Sequence, residues 1–183
     1  MTRLLALLLT AGVLPACGNV DVGWREEVRL ASGETIVVRR TAQGKRLGEI
    51  GGSGGWRATN MTLEIDQPRR PADPPIWSER WVPMLFDHDP GTGEWFLVAT
   101  FYTCEDWRDL GRPKLPYVAY RVHDGRWQQV PLDPMLYGRA ANLLTGVSAK
   151  GEPRLVTIEE KDRRGRGVGE KFQRIVDVWP TSC

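Results

Sequence analysis

Few residues in this chain could do chemistry. It has two histidines, His88 and His123, and three cysteines, Cys17, Cys104 and Cys183. Cys104 with His123 is the sole pair that could make a thiol nucleophile and its base. Asp87-His88-Asp89 has the residue types of a metal site, but histidine-based sites need two or three imidazoles converging with a carboxylate. Acidic residues next to Pro90-Gly91 also favour a turn. As a calcium loop, Asp87, Asp89 and Gly91 begin the pattern, yet the twelfth position is Val98 rather than Glu. No metal site is expected. Gly51 to Trp56, "GGSGGW", has neither the Gly-Lys-Ser/Thr ending of a phosphate loop nor the dinucleotide fingerprint. It reads as a flexible loop, and no cofactor is implied.

Aromatic residues carry more signal. Eight tryptophans are present, and Trp77, Trp81, Trp95, Trp107 and Trp127 fall close together. Trp81 and Trp95 lie inside predicted strands and read as core. Trp77 and Trp107 sit in predicted loops beside Pro, Asp and Arg, so they are the candidate binding surface, where an indole can stack on a sugar or anchor a protein partner. Glu79, Glu105 and Asp106 lie beside them. They define the alternative reading, a cell-wall glycan hydrolase with carboxylates near Trp107 as acid and base.

The N-terminus supplies an address. Leu4 to Val13 is apolar over only ten residues, whereas a bilayer-spanning helix needs about twenty. With Arg3 before it and small residues after it, the run reads as a secretory signal. Leu14-Pro15-Ala16-Cys17 then resembles the lipobox of bacterial lipoproteins. The resemblance covers the first seventeen residues. Pro15 departs from the usual residue at minus two, and one basic residue is fewer than such signals usually carry.

That resemblance implies cleavage before Cys17, lipid chains on its sulfur and amine, and a domain held on a membrane by several acyl chains. Gly18 at position plus two favours the outer membrane over the inner. The resemblance also places Cys104 and Cys183 in a compartment that oxidises paired thiols, so a disulfide between them is expected. The mature chain has 167 residues and a formal charge of +1. Near-neutrality argues against a nucleic-acid partner. The membrane, reached through Cys17, and an envelope protein are the expected partners.

The elements that must position these residues are mostly strands. Residues 17–23 read as a lipidated tether and 24–183 as one β-rich domain. Trp24 to Leu30 and Thr35 to Arg39 alternate with period two and form a hairpin across Ser32-Gly33. Met61 to Ile65 is a strand, and Pro68 to Pro75 a surface crossing. Trp81 to Phe86 and Trp95 to Tyr102 flank an Asp-Pro-Gly turn, with "WFLVATFY" apolar on both faces and therefore central. Tyr117 to Val122 and Trp127 to Val130 meet at Asp124-Gly125, a strong hairpin signal. Leu155 to Ile158 and Phe172 to Val178 read as a last pair. They are joined by the basic loop Lys161 to Lys171, which could meet anionic headgroups or an acidic partner. One helix is predicted after Asp133 and Pro134, reaching Leu144.

About nine strands and one short helix predict a mainly β domain, an antiparallel sandwich or small open barrel. The two Trp-bearing acidic turns are too few for a propeller. The functional expectation is a periplasmic lipoprotein that binds rather than catalyses, as an accessory part of an envelope or secretion assembly.

Overall fold

A computed structural model describes residues 18–47, 55–66, 72–164, 169–179 and 183. Cys17 lies outside them, as do residues 48–54, 67–71 and 165–168. Among the described residues there are nine strands: β1 (Asn19–Arg29), β2 (Thr35–Arg46), β3 (Trp56–Ile65), β4 (Trp77–Glu79), β5 (Val82–His88), β6 (Trp95–Thr100), β7 (Val118–His123), β8 (Arg126–Val130) and β9 (Leu155–Val156). Two short helices, α1 (Cys104–Asp109) and α2 (Ile158–Arg164), and two 3-10 turns complete the order. The strands form two sheets, β4-β3-β2-β1-β9 and β5-β6-β7-β8.

The fold is mainly β and sandwich-like, as the alternation predicts. All neighbours pair antiparallel except β9, which runs parallel to β1 for two residues. One apolar cluster joins the sheets, with Trp24, Val38, Met61, Leu63 and Trp77 from the first meeting Phe86, Trp95, Leu97 and Tyr120 from the second. The other face of the second sheet is also covered. Met84, Phe96, Val98 and Tyr117 pack there against Ala141 and Ile175. Burial on both faces explains why β6 reads as a continuous apolar run.

Turn chemistry sets the hairpins. Asp124 and Gly125 both have positive φ, 49° and 70°, as a type I′ turn demands. Gly44 serves a different need. The β2–β3 register shifts at Gln43/Gly44, and a Cβ on Gly44 would lie 2.3 Å from the Arg57 carbonyl and 2.5 Å from the Trp56 ring. No other residue fits that close approach.

Several expectations need correction. The tether assigned to residues 17–23 is strand from Asn19 onward, because Val20, Val22 and Trp24 alternate with polar neighbours and pair along Lys45 to Arg40. β2 runs on to Arg46 rather than ending at Arg39. The helix expected after Pro134 is a single 3-10 turn, Pro134–Leu136, since Gly138 takes φ 80° and breaks the helical path. The last hairpin does not form. Residues 158–164 are helical instead, with Thr157 Oγ1 accepting the Glu160 N–H at 3.2 Å. Phe172 ends a 3-10 turn.

A buried charge cluster crosses the core. Arg40, Glu26 and Lys161 are all 0–1% exposed. Arg40 Nη1 donates to Glu26 Oε1 at 2.6 Å and to the Leu144 carbonyl at 2.8 Å. Glu26 Oε2 accepts the Leu144 N–H at 2.8 Å and lies 3.4 Å from Lys161 Nζ. Lys161 also donates to the Glu27 and Asn142 carbonyls. The Arg40 guanidinium stacks 4.7 Å from the Trp24 ring centroid.

A covalent cross-link joins α1 to Cys183. Cys104 and Cys183 form a disulfide, with an S–S distance of 2.10 Å, Cα atoms 5.3 Å apart and a sequence separation of 79. Lys171 Nζ sits 4.6, 4.8 and 5.0 Å from the Phe101, Phe172 and Trp179 rings. Burial pushes its ammonium down to about 8, with the Asp106 charge opposing that shift.

Two predictions follow from the core and the tail. Glu26→Ala strands two buried cations and should cost about 3–5 kcal/mol in urea unfolding. Glu170→Ala, which breaks the exposed pair with Arg174, should stay within about 0.5 kcal/mol. Unreduced, denatured protein should show no alkylatable thiol from Cys104 or Cys183, and reduction should lower stability by about 2–4 kcal/mol.

Candidate functional site

The β1–β2 hairpin divides the surface into two ends. Asn19 pairs with Lys45 at one end, and the turn at Leu30 to Glu34 closes the other. At ~3.3 Å per residue the eleven residues of β1 separate these ends by roughly 35 Å.

The far end holds a cleft of about 420 Å³ lined by Leu30, Ala31, Ser32, Asp73, His88 and Trp95 among others. Asp87, buried at the end of β5, ties this cleft together. It accepts the Ala31 N–H at 3.0 and 3.2 Å, the His88 N–H at 2.8 Å and a charged bond from Arg139. Trp95 stacks on Phe86 at 4.9 Å, meets His88 edge-on at 5.1 Å, and donates its N–H to the Ala72 carbonyl at 2.9 Å. The result is an apolar wall with a polar rim, suited to holding a partner's side chain or a small ligand.

The three residues Asp87-His88-Asp89 go separate ways. Asp87 is inside, His88 faces the cleft, and Asp89 organises the turn by accepting from Gly91 and Thr92 and from Arg121 at 2.9 Å. The Arg121 bond, with those backbone N–H groups, holds the Asp89 carboxyl below its usual range. Among the described residues no group of three His, Cys, Asp or Glu is placed to hold a metal. His123 lies at the surface, 3.5 Å from Asp124, and the Cys104 sulfur is bonded to Cys183 rather than free as a nucleophile.

Near Trp107 the sequence TCED forms a capping box. Thr103 Oγ1 accepts the Asp106 N–H at 3.1 Å, and Asp106 Oδ2 accepts from the Thr103 N–H and hydroxyl. Asp106 Oδ1 accepts from Arg57 Nε and Nη2 at 3.1 and 2.9 Å. Arg57 also reaches Glu105 at 2.6 Å and Asp109 at 3.2 Å, and Arg80 reaches Asp109 at 3.0 Å. Burial alone would lower the Arg57 guanidinium; hydrogen bonds and charge from Glu105 and Asp106 outweigh it and raise it. These carboxylates build an ion-pair network on α1. Both oxygens of Asp106 are engaged in hydrogen bonds. Glu79 is elsewhere, exposed on edge strand β4.

Trp77 is a correction. It is 1% exposed, edge-on to Tyr120 at 5.7 Å, between the sheets. The short pairing of β4 on β3, with Trp77 opposite Leu63, turns the indole inward. Trp107 is half-buried, packs against the same core, and donates to the Pro113 carbonyl at 3.1 Å. The two do not form one surface.

Of the basic run Lys161 to Lys171, residues 165–168 lie outside the described residues, and the cations before them are engaged within the fold. Lys161 is buried, and Arg163 and Arg164 pair with Glu160. Sequence reasoning missed the Arg40–Glu26 pair, although both residues fall at apolar-parity positions of their strands. Among the described residues no helix is long and apolar enough to cross a membrane.

Replacing Trp77 with Ala should cost about 3–5 kcal/mol through the cavity it leaves. Trp107→Ala should cost distinctly less, and paired thermal melts would separate the two. No family model matches the chain, and neither a curated protein nor a solved structure matches it.

Proposed function

We propose that this chain is a lipid-anchored protein of a bacterial envelope, on the periplasmic side and in the outer membrane rather than the inner. Its domain acts as a non-catalytic binding module of an envelope or secretion assembly. The observation that carries the reading is the short distance between the lipobox-like cysteine and the fold. β1 begins at Asn19, two residues after Cys17, which a fully extended chain spans in about 7 Å. A lipid on Cys17 would therefore seat the domain directly on the bilayer and point the Leu30–Trp95 cleft away from it. Binding is favoured over hydrolysis because the carboxylates near Trp107 are held by Arg57 and by the helix cap.

The test is metabolic labelling with an alkyne palmitate in a bacterial host. The parent chain should incorporate label and lose residues 1–16, whereas Cys17→Ser should do neither. Equal labelling of the two would overturn the anchor.

A further inference from the structure

The end of the sheet next to Cys17 has its own chemistry. The Arg46 N–H donates to the Gly18 carbonyl at 3.2 Å, Lys45 pairs with Asn19, and the Leu47 N–H donates to the Gly55 carbonyl at 2.9 Å. Across the sheet, Arg46 faces Trp56 and Lys45 faces Arg57. These residues therefore lie around Gly18 and Asn19, next in sequence to Cys17.

Charge at this end is unevenly matched. Arg57 and Arg80 are neutralised by Glu105, Asp106 and Asp109. Lys45 and Arg46 are exposed and make no ion pair among the described residues. Beside them Leu47 is 41% exposed, an aliphatic side chain open to water. Trp56 is half-buried across Gly44, with its N–H satisfied by the Val147 carbonyl at 3.1 Å. Asp21, the nearest exposed acid on β1 itself, lies two residues further along, or ~7 Å.

We infer that this end of the sheet is a membrane-docking face, with Lys45 and Arg46 on anionic phospholipid headgroups and Leu47 entering the interface beside them. The inference rests on the lipid-anchor reading. An anchor at Cys17 holds both cations within about a Debye length of the headgroups, roughly 8–10 Å, where their attraction is least screened. A basic pair, an exposed leucine and a tryptophan are the side chains that favour the boundary between water and lipid. The consequence is orientation: the domain stands on its β1–β2 end instead of swinging on its lipid.

The test uses the full lipidated chain, reconstituted into phosphatidylcholine vesicles with or without phosphatidylglycerol. An environment-sensitive fluorophore is placed on Leu47→Cys or, at the far turn, on Ser32→Cys. The native cysteines are lipidated or disulfide-bonded, so the new thiol takes the label. With phosphatidylglycerol the probe at position 47 should shift to the blue, and the shift should vanish in high salt or with Lys45→Glu/Arg46→Glu. The probe at position 32 should not move. In the unlabelled chain, brominated phosphatidylglycerol should quench more emission than in Trp56→Phe. If the chain floats with the vesicles but position 47 stays as wet as position 32, docking is refuted and the anchor stands. If the chain does not float, the anchor fails and docking with it.

Discussion

A guanidinium sits where an aliphatic side chain would be expected. Arg40 lies on the core face of β2, between Val38 and Ala42 in the alternation, and no water-facing route is open to it. A charge in that position is tolerated only when it is paired and hydrogen-bonded. Glu26 supplies the pairing from β1 and the Leu144 carbonyl a second acceptor, both to Nη1, while Lys161 and the Leu144 N–H hold the other Glu26 oxygen. Arg40 Nε and Nη2 have no hydrogen-bond partner among the described residues. Four separate parts of the chain thus meet on one carboxylate. The hairpin, the connection through Leu144 and helix α2 cannot shift independently, because any of them moving away leaves a buried ion without its partner.

The second sheet depends on this arrangement through Asn142. Its side-chain amide donates to the Phe86 carbonyl at 2.8 Å and accepts the Phe86 N–H at 3.0 Å, as a neighbouring strand would. Its own backbone N–H donates to the Met84 carbonyl, while its carbonyl accepts from Lys161. One residue therefore seals the edge of β5 and belongs to the shell around the buried ions. Sealed edges guard a sheet against pairing with another chain. The outer edges of the first sheet are short instead, three residues in β4 and two in β9.

Much of the β architecture was legible in the sequence because hydrophobic alternation and turn residues are local signals. Asp124-Gly125 marked its hairpin, and the unbroken apolar run marked β6. The misses have physical causes. β2 extends past Arg39 because a distant carboxylate makes Arg40 acceptable in the core, which no local window contains. Helices α1 and α2 were missed although Thr103 with Asp106 and Thr157 with Glu160 carry the spacing of helix caps; a hydrophobic-period search overlooks helices of six or seven residues. The sheets' burial of Trp77 depended on β4 annealing to β3, a tertiary event. For the candidate cleft, His88 and Trp95 were visible as residues, but their meeting with Ala31 required the long-range bond to Asp87.

The buried ions also impose an order of assembly. In a chain made from its N-terminus, Glu26 and Arg40, diagonal neighbours across β1 and β2, exist long before the segments that cover them. Leu144 lies 118 residues beyond Glu26, and Lys161 lies 134 beyond Glu27. Until those segments arrive, the hairpin must keep its charges hydrated and its core face open. Such long closures belong to the slow end of folding, in milliseconds to seconds. The two charges lose their water only when that distant cover packs onto them.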